Sequence, residues 1–113
     1  MVELLEPEFQ FENLSLETVV DITHKNVVQE RIASSNAPWV FHFAAVTDLD
    51  ASEKERKLGK SSLAWRVNVE GTQNIVEAAN VSGKHVFYIS TDFVFDGNAG
   101  PYTEESQPNP LSW

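Results

Sequence analysis

Cysteine is absent from the 113 residues, which excludes disulfides and thiolate metal sites and fits a reducing compartment. Basic residues are scarce, eight against 17 acidic ones. The resulting net charge of −9, with a pI near 4.6, leaves no electrostatic footprint for a phosphate backbone, so nucleic acid is not an expected partner. The same charge repels anionic membranes and anionic cofactors at long range. A phosphate ligand would have to be held locally, by backbone amides, helix starts or a few cations. No apolar run approaches the ~18 residues of a membrane span. The opening "MVELLEPEFQ" is acidic, unlike the basic and then apolar start of a signal peptide. A soluble, cytoplasmic protein is expected. His24, His42 and His85 have no ligand spacing and read as solvated loop chemistry, and Asp48 with Asp50 lacks a third ligand, so no metal site is expected. Repeats and low-complexity tracts are missing too.

What is present argues for a packed core. Hydrophobic residues make up 42% of the chain, with three Trp, seven Phe and two Tyr, a composition of globular rather than disordered chains. A chain of this size forms one small domain and buries roughly two thirds of the surface its unfolded form exposes.

The first 17 residues carry scattered apolar positions and no assignable pattern. "TVVDI", Thr18 to Ile22, reads as a short β-branched strand, after which Thr23 is placed to cap a helix over His24 to Ser34. Asn36 and Pro38 end that helix. "WVFHF", Trp39 to Phe43, is a near-continuous apolar run of the kind buried in parallel sheets. The polar "VTDLDASEKERKLGK" reads as a loop with one helical turn. A long helix is predicted over Ser61 to Val81, closed by Gly83, with Leu63, Ala64, Val67, Gly71, Ile75, Ala78 and Ala79 on the sheet-facing side. "HVFYIS", His85 to Ser90, is the third strand, and beyond Gly97 the chain is turn chemistry. Strand and helix alternate as in an open parallel α/β sheet with right-handed crossovers.

In such sheets ligands sit outside the carboxyl ends of the strands. Asp21-Ile22, Ala44-Ala45 and Ser90-Thr91-Asp92 therefore fall on one edge. The paired alanines suit either the approach of a flat ligand or close helix packing. Asn68 lies inside the apolar face of the long helix, where an unpaired amide costs about 1 to 3 kcal/mol; a backbone partner or a ligand should satisfy it. Gly71 costs the helix about 1 kcal/mol relative to Ala, which suggests close approach of the sheet or a ligand. Thr91 offers a hydroxyl suited to polarising a carbonyl, and Ser90 with Thr91 suits an ST-turn equally well. Trp65, Val69, Thr72 and Val76 form a second apolar stripe that fits a neighbouring helix or a second subunit.

"HFAAVTDLDASE", "RVNVEGTQNIVEAA" and "YISTDFVFDGNAGPYTEESQPNPLSW" together resemble the extended short-chain dehydrogenase/reductases, most closely the branch that reduces dTDP-4-dehydrorhamnose. The resemblance runs from Val19 to Trp113, interrupted by extra residues around Glu55 to Ser62. It implies a Rossmann-like doubly wound parallel sheet of three α/β/α layers, binding NADP or NAD, with a sugar nucleotide as substrate. Residue by residue it implies that Asp21 and Ile22 meet the adenine and that Ala44, Ala45 and Val46 line the cofactor's phosphates and ribose. Asn68 and Ser90 would stand near the cofactor, Thr91 would bond the reacting carbonyl, and Asp92 and Phe93 would face the substrate. Epimerases, dehydratases and non-catalytic regulatory subunits of the same superfamily share most of these motifs. The family opens with a glycine-rich turn, whereas the first glycine here is Gly59. Its catalytic Tyr-x-x-x-Lys follows the "PNPL" segment, and neither Tyr88 nor Tyr102 has a Lys four residues on. The chain is therefore read as the central part of one NAD(P)-binding domain, without the first βαβ unit and the C-terminal substrate domain. Alone it is expected to be inactive and, with sheet and helix faces uncovered, to self-associate.

Overall fold

Two parallel strands anchor the molecule, seen here in a computed structural model that describes residues 8–111. β1 (Trp39–His42) and β2 (His85–Tyr88) pair in register, Trp39 beside His85 and His42 beside Tyr88. Alternation along each strand then decides which side chains go where. Val40, His42 and Val86 turn toward the helices, where Val40 and Val86 pack on a core of Val28, Ile32, Ile75 and Ala78. Phe41, Phe43 and Phe87 turn the other way and contact one another as rings, Phe41 on Phe87 at 5.6 Å and Phe43 on Phe87 at 6.4 Å, while Trp39 on the same face meets the His85 ring at 4.7 Å. Each of those four remains about half exposed. Among the described residues, then, helices cover one face of the sheet and an aromatic face stands open.

The covering helices are α1 (Lys25–Ser34) and α3 (Thr72–Val81), which pack mainly on each other. The end of α3 is set by Gly83, whose φ of +66 is the left-handed conformation a helix stop needs. There the Lys84 amide donates to Ala79 O and the Gly83 amide to Asn80 O. The Lys84 ammonium reaches across to the carbonyls of Ser35 and Ala37, both at 2.7 Å, tying the exit of α1 to the entry of β2. Between β1 and α3 the chain forms a short α2 (Leu49–Lys54) capped by Asp48, then a 3-10 segment (Arg56–Ser61).

Several expectations are corrected. Thr18 to Ile22 is not a strand: Leu16–Thr18 forms a 3-10 turn and Val19 takes φ +62, so the β-branched run is bent, and among the described residues no strand pairs with it. The described sheet has two strands rather than three. Thr23 does not cap α1; its hydroxyl donates to Asp21 instead, and His24 holds the cap position. The long helix starts after Ser62, whose buried hydroxyl accepts from the Trp65 amide. It runs through a π-helical stretch (Trp65–Gly71) before α3. Leu63 is 52% exposed rather than sheet-facing, and the main sheet contacts of the long helix come from α3. Thr72 does not belong to an outward stripe, since its hydroxyl meets His42 at 2.8 Å.

Candidate functional site at the carboxyl edge of the strands

Parallel strands in register release their chains at the same edge. β1 delivers Phe43, Ala44, Ala45 and Val46 there, and β2 delivers Ile89, Ser90, Thr91, Asp92 and Phe93. Ala44, Ala45, Ser90, Thr91, Asp92 and Phe93 are exposed, and Val46 is half-buried. The alanines carry no side chain beyond a methyl, so the backbone after β1 is open to a flat ligand.

Asn68 gives that backbone its position. It sits within the π-helical stretch, where its Oδ1 accepts from the Val46 amide at 2.8 Å and its Nδ2 donates to the Val46 carbonyl at 3.0 Å. π segments recur at functional sites, and here the amide satisfies both polar groups of one residue as a neighbouring strand would. The partner that Asn68 requires is therefore the chain leaving β1.

Ile22 meets the same helix at Gly71 and Asn74, with Asp21 next to it in the chain. The Asp21 carboxylate accepts from the Thr23 amide at 2.9 Å and its hydroxyl at 2.8 Å. These bonds, the amide first, hold its pKa below the ordinary range. Ile22 explains Gly71: a Cβ there would lie 2.6 Å from Ile22 Cδ1 and Cγ1, so the glycine admits Ile22 rather than the sheet or a ligand. Asn74 fixes the same residue by donating to the Ile22 carbonyl at 2.9 Å.

Among the described residues, the Thr91 hydroxyl is bonded only to Asp92 and Phe93. Its Oγ1 accepts from the Phe93 amide and donates to Asp92 Oδ1, both at 3.3 Å, the loose geometry of a cap on a 3-10 turn (Asp92–Val94). This is the ST-turn arrangement, and it leaves an exposed hydroxyl free to reorient. Beyond it, a groove is lined by Phe93, Phe95, Asp96, Tyr102 and Leu111.

Two features were not anticipated from sequence. His42 is 2% exposed, bonded to Thr72 and stacked on Tyr88 at 5.1 Å. It is not in a solvated loop, and burial holds its pKa below the ordinary value. The strand alternation that puts Val40 inside puts His42 there too, and was the available signal. The second is Asp96, which accepts from the Tyr102 hydroxyl, the Asn98 amide and the Asn109 side chain. Among the described residues no His, Asp and Glu group is placed to hold a metal, and no helix is long and apolar enough to cross a membrane.

Comparison with known proteins assigns this arrangement to a class. A crystal structure of a hypothetical dTDP-4-dehydrorhamnose reductase from Sulfolobus tokodaii matches 98% of the chain at a TM-score of 0.80 and 31% identity. One from Bacillus anthracis str. Ames, in complex with NADP, matches 97% at 0.77 and 30%. The fold is thus part of the α/β sheet of Rossmann-like reductases. Residues 3–113 match the family described as "RmlD substrate binding domain", and the chain belongs to that family. A dTDP-4-dehydrorhamnose reductase of Aggregatibacter actinomycetemcomitans is 35% identical over 98% of the chain. Methionine adenosyltransferase 2 subunit beta of Bos taurus is 33% identical over 82%. The chain spans 37% and 26% of those two proteins, and 41% and 39% of the two solved chains.

Proposed function

We propose that these residues form the central part of an NADP-dependent reductase of a 4-keto sugar nucleotide, similar to dTDP-4-dehydrorhamnose reductase. In this reading they are one portion of a single dinucleotide-binding domain whose glycine-rich unit and substrate domain lie outside the chain. The observation that carries it is the shared strand edge, where the exposed Ala44-Ala45 backbone, braced through Val46 by Asn68, lies on the same side of the sheet as Ser90 and Thr91. Relatives named for this activity, one solved with NADP, support it.

The residues fit a dinucleotide, because two methyl-only positions leave the chain after β1 open where a phosphate or ribose needs backbone contact. Ala44, Ala45 and Val46 would line it, with Ser90 and Asn68 beside it and Asp21-Ile22 toward the adenine. A bound nicotinamide would supply the hydride that the carbonyl carbon takes up. Thr91, released from Asp92, would donate its hydroxyl proton as a hydrogen bond to the carbonyl oxygen as negative charge develops there. Asp92 and Phe93 would meet the sugar side. The proton that completes the alcohol needs a group of lower pKa than a threonine hydroxyl, such as the tyrosine the family motif places after the "PNPL" segment. A cytoplasmic location, no nucleic-acid or membrane partner, and a homodimer through the exposed Val69 and Val76 of the long helix complete the reading.

The test is NADPH oxidation by the intact gene product with a dTDP-4-keto-6-deoxy sugar. Thr91→Val is expected to lower kcat roughly a hundredfold, the usual cost of one oxyanion donor, with NADPH binding unchanged; equal turnover in wild type and variant would overturn the assignment. A second reading, a non-catalytic nucleotide-binding subunit, is favoured by the similarity to methionine adenosyltransferase 2 subunit beta. It predicts NADP binding with no turnover of any keto sugar. Consumption of substrate without net NADPH loss would point instead to an epimerase or dehydratase.

A further inference from the structure

An Asp-Gly turn needs little. At Asp96-Gly97 the Asp96 bond to the Asn98 amide at 2.9 Å and the φ of +77 at Gly97 are sufficient. Yet Asp96 also accepts from the Tyr102 hydroxyl at 2.6 Å on Oδ1 and from Asn109 Nδ2 at 2.8 Å on Oδ2. Closing loops of 6 and 13 residues costs chain entropy that the turn itself never required. Around these bonds Phe95 and Tyr102 stack at 4.3 Å with planes 6° apart, and the Tyr102 oxygen accepts from the Ala99 amide at 3.1 Å. The Asn109 amide also donates to Val94 O at 2.8 Å. Val94 ends the 3-10 turn that Thr91 caps. The chain leaving Asn109 is therefore bonded back onto the turn that carries Thr91.

We propose that Asp96, Tyr102 and Asn109 form a clip of positioning residues that registers the segment leaving Asn109 against the Thr91 turn. The inference rests on the reductase reading and deepens it: a carbonyl oxygen must be met from two directions, by Thr91 and by a proton donor, which the family motif places after the "PNPL" segment. The clip holds that segment, at Asn109, against the Thr91 turn. Its bonds involve a carboxylate and are of the stronger, charge-assisted kind. The Tyr102 hydroxyl first, then the Asn98 amide and the Asn109 side chain, holds the Asp96 carboxyl well below the usual carboxylate range. Asp96 is therefore ionised at neutral pH and available as acceptor for all three bonds.

The test is steady-state kinetics of the intact gene product carrying Tyr102→Phe or Asn109→Ala, with Thr91→Val alongside. Tyr102→Phe keeps the ring stack and loses only the hydroxyl. Both clip variants are expected to lower kcat about tenfold, as small misplacements of reacting groups do, with the KM for NADPH unchanged. Asp96→Asn, which retains one acceptor oxygen, should keep more activity than Asp96→Ala. Hydrogen exchange at the backbone N–H of position 109, bonded to Val94 O in wild type, shows in each variant whether the clip has opened in a folded protein. A position-109 backbone N–H that exchanges faster while kcat stays at the wild-type value overturns the proposal, leaving the reductase reading intact. Absence of any turnover sensitive to Thr91→Val overturns both.

Discussion

Replacing Asn68 by Ala tests the bond that braces the candidate site. The variant loses two hydrogen bonds, from the Val46 amide at 2.8 Å and to its carbonyl at 3.0 Å. It also leaves both groups of a half-buried residue without a protein partner. A neutral hydrogen bond contributes about 1 kcal/mol net, and an unsatisfied buried group costs about 1 to 3 kcal/mol. Water reaches a half-buried backbone in part, so the expected loss is about 2 kcal/mol. Urea unfolding followed by tryptophan fluorescence measures it as a shift in midpoint at constant slope. Asn68→Asp supplies the control, because it keeps the acceptor for the Val46 amide but sets a carboxylate oxygen against the Val46 carbonyl. It should lose at least as much as Ala at neutral pH and recover relative to Ala in acid, where the protonated carboxyl donates again. NADP affinity of the intact gene product should fall about tenfold, the equivalent of 1.4 kcal/mol. An Ala variant within about 0.5 kcal/mol of wild type, the ordinary range of an inert surface change, would refute the bracing role.

Gly71→Ala gains about 1 kcal/mol of helix propensity but drives a methyl to 2.6 Å from Ile22 Cδ1 and Cγ1, and overpacking of this kind costs about 1 to 3 kcal/mol; the expected net is a loss of about 1 kcal/mol by urea unfolding, and a gain would show that Ile22 moves freely. His42 is held neutral by burial, its folded pKa below the unfolded value near 6.5, so below pH 6.5 the unfolded chain binds a proton that the folded chain does not. Its stabilising contribution is whole above that pH and is lost as the pH falls toward the folded pKa. Urea midpoints at pH 7.5 and 6.0 should therefore differ in wild type and coincide in His42→Gln. The open aromatic face should make the 113-residue chain associate with itself: sedimentation velocity at rising concentration should show growing mass in wild type and less growth in Phe41→Ser. A wild-type chain that stays monomeric across tens of micromolar would refute this.

The parts of the fold legible in the sequence were those governed by local rules. Gly83 marks the helix stop because only a left-handed residue closes the two bonds found there. The apolar runs at 39–43 and 85–90 mark the strands, and an amide inside an apolar face marks Asn68 as a residue in need of a partner. What stayed hidden was decided by tertiary context. Val19 and Val20 have strand-forming side chains, but among the described residues no strand pairs with them, and the chain turns instead. A π stretch keeps the composition of an α-helix and changes only its hydrogen-bond spacing, so periodicity gives no warning of it. Asp96-Gly97 looks like any turn until Tyr102 and Asn109 are brought back to it. The resemblance to the reductases supplied the roles assigned to Ala44, Ser90 and Thr91; their residue types alone were compatible with packing and capping.

The two sides of the candidate site are supported in different ways, and the difference bears on how it works. One helix positions the proposed cofactor side: Asn68 holds Val46, Gly71 and Asn74 hold Ile22, and Thr72 holds His42. These contacts come from consecutive turns of a single rigid element backed by the Val28 and Ile75 core, so the segments they fix keep their spacing. Thr91 has no such backing. Its hydroxyl is held by two 3.3 Å contacts within its own turn, and that turn connects onward through Val94 and Asn109 to the Asp96 bonds. In the proposed reductase, a hydroxyl that exchanges a carboxylate partner for a developing oxyanion would benefit from weak ground-state bonds, since each bond it breaks subtracts from the transition-state gain. Firm placement is needed for the turn as a whole rather than for the hydroxyl proton, and the carboxylate-centred bonds at Asp96 supply it without contact to Thr91 itself.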